Sequence, residues 1–319
     1  EEIIQSIKKI KKEKDLDIEF EVNEERWVRF SKAKEKIDQI VKILEHKNNK
    51  VTHINLSWNE LGPKEVRYLA EALMNENNKV TRINLEANHF GPEGAQSLAK
   101  ALMNENNKIS HINLENNNLG LQGAQYVAEA LKNENNKVTH INLRDNKLDS
   151  QAAESLAEAL KNENNKITDI NLSRNDLGPE GAQSLAKALM NENNKVTYIN
   201  LYENKLGPKG AQYLAEALTN ENNKVTHINL RGNKLGSEGV QSFADVLKNE
   251  NNKITDVDLV GNNLGPEEAQ SLAEALNNEN SKVTHIDLRA NDLGPQGIGY
   301  LYEVENIKPN IAIYYDEIY

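Results

Sequence analysis

The stretch VTHINLSWNEL, residues 51–61, decides the fold, because variants of it return every 29 residues along the chain. Nine copies follow one another without an insertion or a deletion between their starting points. The copies begin at Val51, Val80, Ile109, Val138, Ile167, Val196, Val225, Ile254 and Val283. A strict period of this length indicates a repeat array, in which each copy is one structural unit packed against its neighbours.

Each copy combines the signature of a short strand with that of a helix. In the first copy Ile54 and Leu56 alternate with polar residues, which is the period of a β-strand. Further along, Val66, Leu69 and Leu73 follow the spacing of an amphipathic helix. Pro stands just inside the helix start in six copies, a position where its missing N–H costs nothing. The repeat unit is therefore predicted to be strand, loop and helix.

The pattern LxxLxLxxNxL, followed by a GxxGAxxLAxAL-like helix, resembles the leucine-rich-repeat family over residues 51 to about 311. Within that family it is most similar to the ribonuclease-inhibitor-like subtype, and to the repeats of bacterial effectors and cytosolic immune receptors. The resemblance implies an α/β, right-handed solenoid with parallel strands on a concave face and α-helices on a convex face. Strands lie about 4.8 Å apart and helices about 8–10 Å apart, so such an array curves into a horseshoe arc.

The ends of the chain differ from the repeats, as the exposed ends of a solenoid require. We expect four segments: a basic N-terminal segment (1–14), an N-terminal cap (15–50), the nine repeats (51–308) and a C-terminal cap (309–319). In the N-terminal cap, Leu16 to Val22 predict a strand, and Trp27 to Leu44 predict one long amphipathic helix. A closing strand around Ile313 is expected, with Tyr319 among the tyrosines that shield the last repeat.

Two terminal features leave alternatives open. Residues 1–14 place Ile3, Ile7 and Ile10 on one helical face. We interpret them as a frayed helix leading into the cap, with a helix for a partner or a membrane surface as the alternative. In the last repeat, Glu305 replaces the usual Leu, so we expect that helix to end early or turn away.

Composition excludes several classes of function. The chain has no cysteine, which rules out disulfides and thiolate metal sites and suits a reducing compartment. A net charge of −11 argues against nucleic acid as a partner. No apolar stretch approaches the length of a membrane span, and no signal peptide opens the sequence. We expect a monomer that is cytoplasmic or, if it is a bacterial effector, delivered into a host cell. The richness in Asn, Lys, Ile and Glu suggests an AT-rich genome, which fits the bacterial effector.

One Asn recurs at position nine of every copy, and the family resemblance assigns it a structural role. In leucine-rich repeats this side chain points inward and bonds the backbone of neighbouring turns, which satisfies amides that would otherwise be buried unpaired. The predicted ladder consists of Asn59, Asn88, Asn117, Asn146, Asn175, Asn204, Asn233, Asn262 and Asn291.

Positions three, five and seven of each copy are predicted to point away from the core, onto the concave face. Position five is Asn in seven copies and Asp in the last two, whereas positions three and seven vary. Since aromatic residues and Arg dominate interface energetics, we predict a protein-binding surface centred on Tyr198 and Tyr202. Its other expected members are Arg174, His227, Arg231, Arg144, His140, Arg289 and Trp58. For Trp58 the alternative is packing against the capping helix.

Other functions find less support in the sequence. His111, His140 and Asp169 could share a metal ion across strands, as could His227, His285 and Asp256. Copying of a His-bearing unit explains both groups, so we predict no metal and no cofactor; a pH-responsive surface remains an alternative. No catalytic motif is present, so we predict a non-catalytic module that binds another protein of unknown identity. The alternative is a scaffold that self-associates through the convex helical face.

Overall fold

The computed structural model describes residues 1–316, and the chain divides into two compact units. The first unit comprises residues 1–147 and 163–167; the second comprises residues 148–162 and the described residues from 168 on. Within each unit, strands and helices alternate with the period of the repeat. The predicted α/β repeat architecture is therefore confirmed. Tyr319, which we expected to shield the last repeat, lies outside the described residues.

The first unit begins with the N-terminal segment and contains the strands of the first four repeats. Its elements are α1 (Glu2–Lys14), β1 (Phe20–Val22), β2 (Trp27–Phe30), α2 (Ile37–Leu44), β3 (His53–Asn55), α3 (Pro63–Leu73), β4 (Arg82–Asn84), α4 (Gly91–Leu102), β5 (His111–Asn113), α5 (Gly120–Leu131) and β6 (His140–Asn142). Strands β2 to β6 pair in parallel, each with the next, whereas β1 pairs antiparallel with β2.

The second unit continues the same order. Its elements are α6 (Ser150–Leu160), β7 (Asp169–Asn171), α7 (Gly178–Leu189), β8 (Tyr198–Asn200), α8 (Gly207–Leu218), β9 (His227–Asn229), α9 (Gly236–Lys248), β10 (Asp256–Asp258), α10 (Pro266–Asn277), β11 (His285–Asp287), α11 (Gly294–Ile307) and β12 (Ala312–Tyr314). Neighbouring strands from β7 to β12 are parallel and pair equal repeat positions. Side chains at one repeat position therefore form a row across the strands.

The core lies between strands and helices within each repeat. In the second repeat Val80, Ile83 and Leu85 on the strand side are at most 1% exposed, and Leu98 and Leu102 of α4 are nearly as deeply buried. A fully buried leucine or isoleucine contributes about 1.5–3 kcal/mol relative to an exposed one. Because every repeat supplies the same positions, burial continues from one repeat to the next.

The Asn at position nine bonds as the family resemblance implied. Asn117, which is fully buried, donates through Nδ2 to the carbonyl oxygens of Leu85, Leu114 and Glu115 at 2.9–3.0 Å. Its Oδ1 accepts from the backbone N–H of Asn88, one repeat earlier, at 3.0 Å. A single amide thus satisfies backbone groups from two repeats, in addition to the backbone bonds that join this loop to the next one.

A second row of buried asparagines lies at the turns that follow helices α2 to α9. Asn107 donates to the carbonyl of Leu102 at 3.0 Å and accepts from the N–H of Ile109 at 2.9 Å, so it joins the helix end to the next strand. The preceding Asn106 donates to the carbonyl of Met74 in the repeat before, at 2.9 Å. The Asn-rich turn is therefore a structural element rather than a spacer.

The lysine that follows this turn forms a third row. Lys137 Nζ donates to the carbonyl of Asn107 at 2.6 Å, and Lys108 makes the equivalent bond to Asn78. Burial, together with the neighbouring charges of Lys79 and Lys137, lowers the pKa of Lys108. Each ammonium thus ties two successive turns together, while the like charges along the row oppose one another.

The N-terminal cap differs from the predicted strand and single long helix. Trp27–Phe30 is strand β2, and the helix begins only at Ile37. Val28 and Phe30 are buried on one face of β2, whereas Arg29 is exposed, which is the period of a strand. The spacing of Trp27 and Phe30 also fits one helical turn, and this ambiguity made the prediction wrong.

The terminal helices also depart from expectation. Helix α1 is packed rather than frayed: Ile7 and Ile10 are fully buried, and Ser6 Oγ donates to the carbonyl of Asn48 at 2.7 Å. Helix α11 runs past Glu305 to Ile307, so the expected early end is wrong. None of the helices in residues 1–316 is both long enough and apolar enough to cross a membrane.

Candidate protein-binding surface

Within each unit, positions three, five and seven of the repeats form a surface that we call the strand face. In most strands the central Ile or Val is buried, and the residues on either side of it are half-buried or exposed. The backbone bonds of the strands are satisfied by neighbouring strands, so the side chains of this face are available to a ligand.

The predicted site residues fall into the two units. Trp58, His140 and Arg144 belong to the first unit. The second unit holds Arg174, Tyr198, Tyr202, His227, Arg231 and Arg289. The structure places five of the six residues of the second unit in two groups, around Tyr202 and around Asp256, and the sixth, Arg289, beside Asp287.

Tyr202 is the centre of the first group. The guanidinium carbons of Arg174 and Arg231 lie 5.5 and 5.3 Å from the centre of its ring. Arg174 also donates to the Tyr202 hydroxyl at 3.4 Å and to Glu203 Oε2 at 3.0 Å. The hydrogen bond to Tyr202, with the nearby Glu203 charge, raises the pKa of Arg174. An aromatic ring held between two cations is already ordered, so a ligand that covers it loses little side-chain entropy.

The second group surrounds Asp256. His227 Nε2 lies 3.1 Å from Asp256 Oδ2, and His285 Nδ1 lies 3.2 Å from Asp256 Oδ1, so imidazoles from both neighbouring strands flank one carboxylate. The ring of Tyr198, which is 37% exposed, lies 6.3 Å from the ring of His227. Thr255 donates to Asp256 as well, at 2.6 Å, so this carboxylate is fully engaged.

These side chains border a cavity of about 260 Å³ over strands β8 to β12. Its wall includes the rings of Tyr198 and Tyr314, and its polar lining includes Asp256, Asp258 and Asp287. Small-molecule sites are commonly about 300–1,000 Å³ and enclosed, so this smaller depression suits one side chain of a partner.

Two of the acidic groups in the cavity differ in their partners. Asp287 is held by Arg289 Nε at 2.9 Å, and the same guanidinium lies 5.7 Å from the ring centre of Tyr314. Among the hydrogen bonds of residues 1–316, the side-chain carboxylate of Asp258 accepts only from the backbone N–H of Val260, at 3.0 Å. Burial, with the Asp287 charge beside it, raises the pKa of Asp258.

The strand face of the first unit is organised by histidine. The rings of His111 and His140 are stacked, with centres 4.0 Å apart and planes 16° apart. Arg144 Nε lies 3.4 Å from Glu115 Oε1 in an ion pair next to them. Burial, and then the charge of Arg82, lowers the pKa of His53. This lowering of the pKa favours the neutral form of His53.

Trp58 is the most exposed large apolar side chain in the described part of the chain, at 67%. Its indole N–H donates to Glu86 Oε1 at 3.2 Å, and its backbone φ is 59°, in the left-handed region. The alternative we considered for Trp58, burial against the capping helix, is therefore wrong. The equivalent residue of every repeat has a positive φ, so this conformation belongs to the scaffold, and exposure is what distinguishes Trp58.

Sequence reasoning identified the tyrosines but missed the acidic cavity. Asp258 and Asp287 stand where seven copies have Asn, and this difference was the available signal. Within residues 1–316 no group of three or more His, Asp or Glu side chains is arranged to hold a metal ion.

The fold defines a class of protein built from repeated strand–loop–helix units. A family model for the leucine-rich repeat matches eight segments: 47–70, 76–99, 134–157, 163–186, 192–215, 221–244, 250–273 and 279–301. The chain belongs to the leucine-rich-repeat family. Domains of this family are generally non-catalytic modules for protein–protein interaction. A search of curated proteins finds no match to the sequence.

Solved structures share the fold at low sequence identity. The leucine-rich repeat-containing protein LegL7 from Legionella pneumophila is 21% identical with a TM-score of 0.52, over 83% of this chain and 82% of that one. TLR13, solved in complex with ssRNA13, is 15% identical with a TM-score of 0.49, over 89% of this chain and 35% of that one. An internalin from Listeria monocytogenes is 11% identical with a TM-score of 0.46, over 90% and 91%.

Proposed function

We propose that this chain is a non-catalytic module that binds a partner protein on its strand face, with Tyr198, Tyr202 and Arg231 as the energetic centre. The observation that carries the proposal is the stacking of Tyr202 between two arginines beside the exposed ring of Tyr198. Tyr and Arg are the residue types that concentrate binding energy, and here they are ordered before the partner arrives.

Self-association through the helical face, the alternative, has less support than partner binding on the strand face. Its tyrosines are half-buried and engaged by their own helices: Lys64 and Arg67 lie 5.9 and 5.5 Å from the ring of Tyr68. On α8, Lys209 lies 5.9 Å from the ring of Tyr213. These rings offer less apolar surface to a second copy, which supports our proposal that the module acts as a monomer.

A capture experiment tests the proposal. The chain is immobilised and exposed to a eukaryotic cell lysate, and bound proteins are identified by mass spectrometry. The strand-face triple variant, in which Tyr198, Tyr202 and Arg231 are replaced by Ala, should lose a partner that wild type retains. A helix-face control, Tyr68→Ala with Tyr213→Ala, should retain it. Retention by the triple variant and loss by the control would refute the proposal.

We also propose an origin, a location and a repeat subtype for the chain. The composition supports a bacterial effector that is delivered into a host cell, and otherwise a cytoplasmic protein. A full helix in every repeat is consistent with the ribonuclease-inhibitor-like subtype. The cap boundaries at residues 15–50 and 309–319 also remain predictions. Specific capture from a host-cell lysate, and not from a bacterial one, would support the effector role.

A further inference from the structure

The acidic cavity over β8 to β12 has a feature that the scaffold does not need. Position five carries Asn in the first seven copies, and its Oδ1 accepts the N–H of the residue two positions later, as Asn229 does from Arg231 at 3.0 Å. Asp258 and Asp287 form the same local bond, to Val260 and Arg289. The change from Asn to Asp therefore keeps the structural bond, adds a negative charge and removes the amide donor.

The two aspartates differ in the residue that lies two positions later in the sequence. Two positions after Asp287 is Arg289, whose guanidinium donates to that carboxylate and lies near the ring of Tyr314. Two positions after Asp258 is Val260, which is 4% exposed and carries no charge. One half of the cavity thus contains a complete arrangement of carboxylate, guanidinium and aromatic ring, whereas the other half has the carboxylate without the cation.

The surrounding cations are engaged with other groups, and the charges of Arg231 and Arg289 only partly offset the burial of Asp258. His227 and His285 are engaged with Asp256, and Arg231 in the next strand is stacked on Tyr202. None of the ion pairs among residues 1–316 includes Asp258. The cavity therefore contains three carboxylates against one guanidinium and two imidazoles, and a partly buried carboxylate without an ion-pair partner is costly.

We propose that the cavity receives an arginine side chain of the partner protein, whose guanidinium pairs with Asp258 and stacks against Tyr198. The inference rests on the proposed function of the strand face and specifies the chemistry of its partner. Charge complementarity favours a basic side chain, and the Asp287–Arg289–Tyr314 group shows that the same surface already binds a guanidinium in this way. The planar, bidentate fit to a carboxylate and the stacking on an aromatic ring favour arginine over lysine.

The inference also accounts for the electrostatics of the site. Burial raises the pKa of Asp258, so the charged form is disfavoured in the free protein. A guest guanidinium would favour that charged form, and binding should therefore strengthen as pH rises through the pKa of Asp258. Asp256, Asp287, His227, His285 and Arg289 also face the cavity, so the measurements compare variants at a single pH near neutrality.

The test uses N-acetyl-arginine amide as a probe of the intact chain, followed by amide chemical shifts in nuclear magnetic resonance. We expect shifts in β9 to β11 and a dissociation constant on the order of 1 mM for a ligand of this size. The uncharged isostere N-acetyl-citrulline amide should bind at least about tenfold more weakly than the arginine amide. The affinity of the lysine amide should lie between those two. Equal shifts with citrulline would overturn the inference, as would no shifts with arginine.

Three variants locate the site. Asp258→Asn restores the residue of the other repeats, so the fold should be retained while arginine affinity falls about tenfold or more. Val260→Arg copies the Asp287–Arg289 pair and should fill the site from within, abolishing probe binding. Asp245→Asn removes one carboxylate from the exposed side of α9 and should bind as wild type does. Unchanged affinity in Asp258→Asn would overturn the inference.

The outcome separates this inference from the proposed function. If Asp258→Asn still captures the partner that the strand-face triple variant loses, the strand face binds protein and the arginine inference is wrong. If the arginine amide binds as expected while the triple variant keeps the partner, the cavity is a guanidinium site and the proposed centre of protein binding is wrong.

Discussion

The second row of buried asparagines is interrupted at one turn, and filling that position with Asn should stabilise the fold. The eighth repeat has Ser281 where earlier copies have a buried Asn, and its hydroxyl is buried without a hydrogen-bond partner among the described residues. In an intact copy, Asn223 donates to the carbonyl of Leu218 at 3.2 Å and accepts from the N–H of Val225 at 3.0 Å. Ser281→Asn should restore both bonds, to Leu276 and from Val283.

The expected gain follows from those two bonds. Each hydrogen bond contributes about 0.5–1.5 kcal/mol net, and ordering the longer side chain offsets part of this. The carbonyl of Leu276 already accepts from Lys308 Nζ at 2.7 Å, but a carbonyl has two lone pairs, so both donors can bond. We expect the free energy of unfolding to rise by about 1–2 kcal/mol, or roughly 2–4 °C in Tm for a chain of this size.

Thermal and urea unfolding of Ser281→Asn, followed by circular dichroism, measure this gain. The matched reverse variant, Asn223→Ser, should lose about as much, because it orphans the N–H of Val225. If Ser281→Asn left stability unchanged or lowered it while Asn223→Ser lowered it, the row would not act through the bonds we describe. If neither variant changed stability, the turn would not be a structural element at all.

Three further predictions concern other parts of the chain. Asn117→Ala removes three donated bonds and orphans the N–H of Asn88, so urea unfolding should show a loss of about 2–4 kcal/mol; a loss below about 0.5 kcal/mol would contradict the ladder. Trp58→Gly relieves a left-handed φ at a cost in chain entropy, so thermal unfolding should change by less than about 1 kcal/mol; a larger loss would show that Trp58 is structural. Burial raises the pKa of Asp258 above its ordinary 3.8, so the folded state holds that proton more tightly and wild type loses stability relative to Asp258→Asn as pH rises from 3.8 through the folded pKa. Urea unfolding at pH 3.5 and pH 7 measures the free energy of unfolding of wild type and of Asp258→Asn. If wild type gained stability relative to Asp258→Asn between pH 3.5 and pH 7, the prediction would be contradicted.

The repeat architecture could be predicted because strands pair at a constant spacing of 29 residues. Rows such as Ile83, Ile112 and Ile141 follow from the period alone, since equal repeat positions must meet on neighbouring strands. The predicted Asn at position nine has the same origin. Where the period stops, prediction weakens: Trp27 and Phe30 fit one helical turn and a strand equally well, and only packing against β3 decides between them.

The rows of Asn107 and Lys137 were hidden for a different reason. Asn and Lys are typical of solvent-exposed turns, so their recurrence resembled a neutral loop composition. The bonds of Lys137, and of Asn135 just before the buried Asn of its turn, reach carbonyl groups about 30 residues away, and nothing in local propensity indicates a contact over that distance. The signal in the sequence was that Asn and Lys recur at the same positions of nearly every copy, as the buried Leu does.

The strand face was predictable in outline and not in detail. Alternation places Tyr198, Tyr202 and Asp258 on one surface, and their strands follow from the period. Side-chain conformation then decides which cations reach which carboxylates: Arg231 stacks on Tyr202, and Arg289 turns to Asp287. Those choices depend on competing contacts a few ångströms apart, which no pattern of residue types records.

The most direct test of the central claim is the dissociation constant of the captured partner for wild type, the strand-face triple variant and the helix-face control. Truncating an interface centre of this kind should weaken binding by about 100-fold or more, since such residues contribute about 2 kcal/mol or more each. We predict that loss for the triple variant, with unaltered unfolding, and a change below about threefold for the control. Equal affinity of the triple variant and wild type would contradict the claim that the strand face is the binding surface.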